Sequence, residues 1–441
     1  MERTDVEDEH PVPVHRHWLS RGRLLVANGA FTVYAIVLAV TTGHADRTWA
    51  IWAAVGYGVT TLLFWLTRRT NLPVLVPLLV AGAGAVAAPV VWLATRAYPT
   101  AEVQVISRSA VLLLQHGTPY LTQAQFTSYL SYNPYLPVMA VFGLPKALGA
   151  TGLIADPRIW LTVVSVALIW AAFTVAAPHR HCEACRHDVL LSTAFIAGSP
   201  MIALPLAVGI TDPPVIALMF LTLALIARPS GLVRAAVALG VACAMKATAW
   251  PAVPVLGVML TARDAARSAW RFIGVTILTA GVLSVALAPA ALANPTSFVQ
   301  NTVLFPLGLS YYKTPAASPL PGHLLAMTSM TGHWITVGLV VAAGLGFALS
   351  LIVRPPADVR AAAWRLAVAL AVIFTLAPAT RWGYFVYPIG LVGWLVLTRP
   401  PAVAQVMVPV EEIPAQAPAE QHLAAGARLG AFRWIFGSDL R

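Results

Sequence analysis

With 441 residues, 59% of them hydrophobic and only 10% charged, and a mean hydropathy of +0.76, the chain lies far from the roughly 25% charged content of a soluble domain and reads as an all-α, polytopic membrane protein. Its formal charge of +11 comes almost wholly from arginine, the lysines being Lys146, Lys246 and Lys313, and the basic residues fall mainly in short loops between apolar runs. That is a positive-inside distribution, which calls for a lipid bilayer and no nucleic acid; three cysteines in a chain of this length give no disulfide framework.

The polar segment 1–23 is expected to be cytoplasmic. Apolar runs long enough to span follow at 24–42, 49–66 and 73–94, a crossing needing about 17–25 residues. The first is longer than a signal-peptide core and lacks a small-residue cleavage site, so it is expected to stay as an anchor. Arg16, Arg21 and Arg23 precede it, and Arg68 and Arg69 follow the second run, which places the polar island Thr100–Pro137 outside. The next apolar stretch, 135–152, holds Pro137, Pro145 and Lys146, and a crossing there would carry the arginine-containing loop 179–188 outward. It is therefore expected to dip into the outer leaflet and return. Runs 159–177, 189–207 and 213–227 cross in turn, with Gly209–Asp212 as an outer turn. Between Arg234 and Arg263 the apolar sequence is broken by Lys246, Pro251 and Pro254, too long for one crossing and short for two, so two short helices meeting near Lys246–Pro251 are expected. Runs 272–293, 332–353, 365–380 and 383–398 complete about twelve crossings in a domain 24–398, with outer loops near 95–134 and 294–331. The tail 399–441 is expected to be flexible and cytoplasmic, with a short amphipathic helix near Leu429–Phe436.

This topology shortens the search for chemistry, because of 17 acidic residues only Asp46, Glu102, Asp156 and Asp212 are expected outside. Glu102 opens a stretch whose apolar positions Val105, Ala110, Val111 and Leu114 suit a helix lying on the membrane surface. It is a candidate general base, with an ordinary interfacial carboxylate as the competing reading. Asp212 stands before Pro213 at the mouth of a span, where catalysis and helix capping are both accounts of it. Lys246, inside VALGVACAMKATAWPAVPV, would cost about 2.5–3.5 kcal/mol at a membrane centre unless it snorkels or meets a partner such as a lipid phosphate. Arg381 is a second candidate for a phosphate, while Trp382, Tyr384 and Tyr387 around it read as interface anchors. Arg108 is the island's arginine, and Tyr120, Tyr129, Tyr132 and Tyr135 form either an interface belt or a stacking surface for sugars. His179, His181, Cys182, Cys185 and His187 crowd into nine residues, unlike the separated ligand pairs of a structural zinc site, so a basic turn with reduced thiols is expected, and no metal or cofactor.

The outer acid with VQVISRSAVLLLQHGTPYL, followed by YNPYLPVMAVFGLPKAL, resembles the first outer loop of the polyprenol-phosphate-sugar-dependent membrane glycosyltransferases of the GT-C fold. It is most similar to the bacterial alpha-mannosyltransferase branch, glycosyltransferase family 87, where an Asp precedes a juxtamembrane helix, a G-x-x-P-Y turn (here Gly117, Pro119 and Tyr120) and a Y-P-P segment. The order GITDPPVIALMFLTLALIARPSGLVRAAVALGVACAMKATAWPAVPVL is also similar, and the likeness covers roughly residues 73–400. The chain departs from that pattern in carrying Glu at position 102, in reading Tyr132-Asn133-Pro134-Tyr135, and in following Lys246 with Ala-Thr. The resemblance implies that Glu102, or Asp212 in its place, deprotonates an acceptor hydroxyl that attacks a lipid-phosphate-linked sugar with inversion. Lys246 and Arg381 would hold the phosphate, with Arg108, Tyr120 and Tyr132 as further substrate-binding candidates. It implies a polyprenyl-phosphate hexose donor, expected to be mannose, a glycolipid or glycan acceptor, and a plasma-membrane location with both termini cytoplasmic. The competing functions are a transporter or flippase of a lipid-linked or amphipathic solute and a non-catalytic GT-C-like subunit. Long outer loops and the absence of a detectable inverted repeat weigh against the transporter.

Overall fold

The computed structural model describes residues 19–98, 100–177 and 183–399. The segments 1–18 and 400–441, with the helix expected near Leu429–Phe436, lie outside the described residues, as do His179, His181 and Cys182. Among the described residues the fold is helical throughout, with one isolated parallel bridge, Ala317 to Thr380.

Helices α1 (Arg21–Thr41) and α2 (His44–Leu66) form an N-terminal hairpin. The third span is α3 (Leu75–Gly82) and α4 (Ala88–Thr95), joined through a π turn at Ala83–Ala87. Gly56 and Gly84 explain the close crossing of α2 over that turn: a Cβ on Gly56 would stand 2.8 Å from the Gly84 Cα. Trp49 Nε1 donates to the Ala85 carbonyl at 2.8 Å, so a carbonyl within the turn keeps a partner. The amphipathic α5 (Ala101–His116) buries Val103, Val105, Ile106, Ala110 and Leu113 on one side. The stretch expected to dip forms no span. It is a 3₁₀ run, Pro137–Gly143, ending in the four-residue α6 (Leu144–Ala147) and packed on α5.

Next come α7 (Pro157–Ala176), α8 (Glu183–Ala197), α9 (Pro200–Val208), α10 (Asp212–Ile226), α11 (Leu232–Met245), α12 (Ala252–Arg263) and α13 (Ala266–Leu287). The run 189–207 is not straight: α8 and α9 meet at 61°, where Ser199 and Pro200 interrupt the helix. After α14 (Pro295–Val299) and α15 (Pro321–Ala326), the chain closes with α16 (Met330–Val353), α17 (Val359–Leu376) and α18 (Val386–Leu397). Seven described helices are long and apolar enough to span, eight with the bent α8–α9 pair; three shorter apolar helices are α10, α11 and Trp382–Leu397. Full-length spans are thus fewer than the twelve crossings the sequence suggests, because the middle of the chain is built of short helices.

Helix α10 is the hub. Nearly all of it is buried, as a helix apolar on every side must be, and α7, α11 and α18 pack around it. Arginines at the end of the bundle away from α5 close the exposed carbonyls of helix C-termini. Arg21 donates to Thr67 O (2.8 Å), Arg228 to Val175 O (2.8 Å), Arg360 to Leu395 O (2.7 Å) and Arg365 to Ser350 O (3.0 Å). These groups follow or end α2, α7, α18 and α16, where a cation also meets the negative end of the helix dipole.

Candidate functional site

The polar segments all converge at the α5 end of the bundle, around a cavity of about 240 Å³. Its walls come from the start of α5, the 129–135 turn, the α9–α10 turn, the α11 break, the 302–316 loop and the segment between α17 and α18. Four of the charged candidates line it together: Glu102, Asp212, Lys246 and Arg381.

Lys246 follows the last turn of α11 in extended conformation (φ −156°, ψ 141°), which turns its side chain out of the helix direction. Its Nζ lies 2.5 Å from Asp212 Oδ1 and 3.2 Å from Thr211 Oγ1, so the partner that a buried lysine requires is an acid 34 residues earlier. The Asp212 and Lys246 side chains are 1% and 11% exposed, which makes this a buried pair. The Tyr387 hydroxyl, an electrostatic neighbour of the Asp212 carboxylate, accepts from Thr248 Oγ1 at 2.7 Å. An ammonium has three donors; with Thr211 and Asp212 satisfied, one remains for a ligand in the cavity. The rings of Tyr135 and Tyr384 stand 5.6 and 5.4 Å from Lys246 Nζ, within cation–π range.

Glu102 occupies the first turn of α5, where the helix dipole favours a carboxylate, and it is ion-paired with Arg381. Burial lowers the Arg381 guanidinium pKa, but Glu102, Tyr384 and Tyr135 outweigh that and hold it above its usual value. Asp46, exposed at the start of α2, also feels the charges of Glu102 and Arg381. The two acids and two cations thus sit as two neutral pairs around one cavity.

The remaining candidates are placed differently. Arg108 directs its guanidinium at the backbone carbonyls of Leu130, Ser131 and Tyr132, holding the 129–132 turn on α5, and it does not line the cavity. Tyr120 is buried with its hydroxyl on Tyr135 O (3.0 Å) and its ring edge-on to Phe298, also away from the cavity. Tyr132 lines the cavity, but its ring lies 4.4 Å from Phe305, stacked, and 4.1 Å from Phe126. With both faces covered, Tyr132 has no free face for a sugar, while Tyr129 on the same wall is 41% exposed. Arg108 and Tyr120 therefore build the loop that carries the site. Thr211 and Thr248 do not stand out in the sequence because short polar side chains inside apolar runs are ordinary in membrane helices, and Tyr387, read there as an interface anchor, is fully buried with its hydroxyl on Thr248. Among the described residues no group of three metal-ligating side chains comes together; Cys185 and His187 lie on α8.

Gly209 is what lets α5 pack closely on the α9–α10 turn. It adopts φ +84° at the end of α9, and a Cβ there would fall 2.4 Å from Val103 Cγ2, beside Glu102, and 3.1 Å from Arg158 Cγ. Gly209→Ala is expected to force α5 away from the α9–α10 turn, at about 2–4 kcal/mol for left-handed strain plus overpacking. A lowered thermal midpoint in detergent checks this, with an unchanged midpoint as the contrary result.

The sequence model of glycosyltransferase family 87 matches residues 133–378, more than half of the chain. That region includes Asp212 and Lys246 and leaves Glu102 and Arg381 outside it. None of the curated proteins and none of the solved structures matches the chain.

Proposed function

The chain belongs to glycosyltransferase family 87, and on that premise we propose that it moves a hexose, mannose, from a polyprenyl-phosphate donor to a hydroxyl of a glycolipid or glycan at the outer face of the plasma membrane. Glu102 takes the proton of the acceptor hydroxyl, whose oxygen attacks the anomeric carbon from the side opposite the phosphate. The bond from that carbon to the phosphate oxygen breaks, the configuration inverts, and polyprenyl phosphate leaves. Lys246 and Arg381 stabilise the negative charge that develops on the leaving phosphate. The observation that carries this reading is the meeting of an α5 carboxylate with cations from two other elements around one cavity. Asp212 serves as the counter-ion that aims Lys246.

The test is transfer in nanodiscs by the full chain, supplied with radiolabelled polyprenyl-phosphate mannose and, separately, the glucose counterpart, over a membrane-lipid extract. Labelled product from the mannose donor alone is the expected result. Product from the glucose donor alone would reassign the sugar, and labelled donor that binds without product would count against the acceptor pool.

A further inference from the structure

The base proposed above is already bonded to one of the cations proposed for the phosphate. Glu102 and Arg381 form an ion pair at the cavity, in which Arg381 presents a 33% exposed side chain while Glu102 is 14% exposed. A carboxylate with one oxygen bonded to a guanidinium is a poorer acceptor for a hydroxyl proton, since part of its negative charge is offset by the cation. Lys246 is under no such conflict. It keeps Asp212, 1% exposed, as a dedicated counter-ion and still has a donor to offer.

The two pairs are thus unequal: one is buried and closed, the other half-open and made between two groups that the reaction needs apart. We propose that Glu102 is masked by Arg381 in the empty enzyme and is released as a base when a lipid-linked phosphate takes Arg381 over. This rests on the reading of the cavity as a phosphate-donor site. The phosphate and the carboxylate compete for one guanidinium, whose planar fork suits either anion. Arg381 lies on the turn Ala377–Arg381 that joins α17 to the short helix before α18, and not within a long helix, so its side chain can change partner without moving a span. The consequence is order. The donor must arrive before the acceptor can be deprotonated, and an acceptor or water molecule entering first meets a carboxylate whose charge is still shared with Arg381.

The experiment is binding of a short-chain prenyl phosphate to the full chain in detergent, by calorimetry, for wild type, Glu102→Gln, Arg381→Gln and the double variant. A Gln at position 102 removes the charge that competes for Arg381, so Glu102→Gln should bind the prenyl phosphate about tenfold more tightly than wild type, a modest gain because the pair is part-exposed. That gain should vanish when Arg381 is Gln, a coupling that a general structural effect of the substitution would not produce. Equal or weaker binding by Glu102→Gln, or a gain that persists without Arg381, overturns the masking. Absence of binding in every protein, with each eluting as a folded monodisperse species, instead rejects the phosphate-donor reading on which the masking rests. Inorganic phosphate run in parallel separates a headgroup effect from one that needs the prenyl chain. The expected result is the same sign for both ligands, and a gain with the prenyl chain alone would overturn competition at the guanidinium.

Discussion

Glu102→Gln is expected to lower the rate of sugar transfer by about a hundred- to ten-thousandfold, the range over which a positioned general base acts. The amide has nearly the shape of the carboxylate and sits in the same first turn of α5, so helix and cavity should persist. What is lost is the lone acceptor for the nucleophile's proton. Initial rates at saturating donor, compared with wild type in the same nanodiscs, make the measurement. A variant that keeps more than about a tenth of wild-type turnover would exclude Glu102 as the base. Asp212 would be a poor substitute, since its carboxylate is 1% exposed and already holds Lys246.

The second large effect is on stability. Asp212→Ala leaves the Lys246 ammonium, 11% exposed, without its counter-ion, and stripping one partner from a buried pair costs about 3–5 kcal/mol. The thermal midpoint in detergent should fall sharply. Adding Lys246→Met removes the stranded charge and should restore most of the loss, because a buried pair replaced by apolar groups of similar volume is often near neutral. Transfer should not return with stability, since the cavity then lacks one of the two cations proposed for the phosphate. If the double variant is as unstable as Asp212→Ala, the stranded charge is not the source of the loss. If it is both stable and active, Lys246 has no part in catalysis.

Much of this arrangement could be read from the chain. The mid-membrane position of Lys246 and the prolines after it demand a break, and the structure has one there, with α11 ending at Met245. The prolines and lysine in 135–152 argue against a span, and that stretch is a 3₁₀ run packed on α5. Arginine in alternate loops is legible as topology, but the pattern is silent on its second use, closing helix C-termini at Thr67, Val175, Ser350 and Leu395. What was not legible is pairing. Nothing local links Asp212 to Lys246, or Glu102 to Arg381 across 279 positions, because those contacts follow from helices packing around α10. Hence the sequence shows each cation without the acid that the fold sets beside it. The aromatic candidates divide for a related reason: composition reveals a ring but not whether its faces are free, and those of Tyr132 are taken by Phe126 and Phe305 while Tyr129 on the same wall is exposed.

The lone parallel bridge between Ala317 and Thr380 has a mechanical consequence. Ser318 N donates to Thr380 O (2.9 Å), Thr380 N to Ala316 O (3.0 Å) and Trp382 N to Ser318 Oγ (3.0 Å), so the loop walling one side of the cavity is stitched to the residues flanking Arg381. At about 1 kcal/mol net for each bond the seam holds with about 3 kcal/mol, and fewer than about one molecule in a hundred has it open at any moment. The loop wall and the backbone on either side of Arg381 therefore travel as one piece, so a shift of that backbone is passed to the strip that carries the exposed Tyr311, while the guanidinium at the end of the Arg381 side chain stays free to change partner.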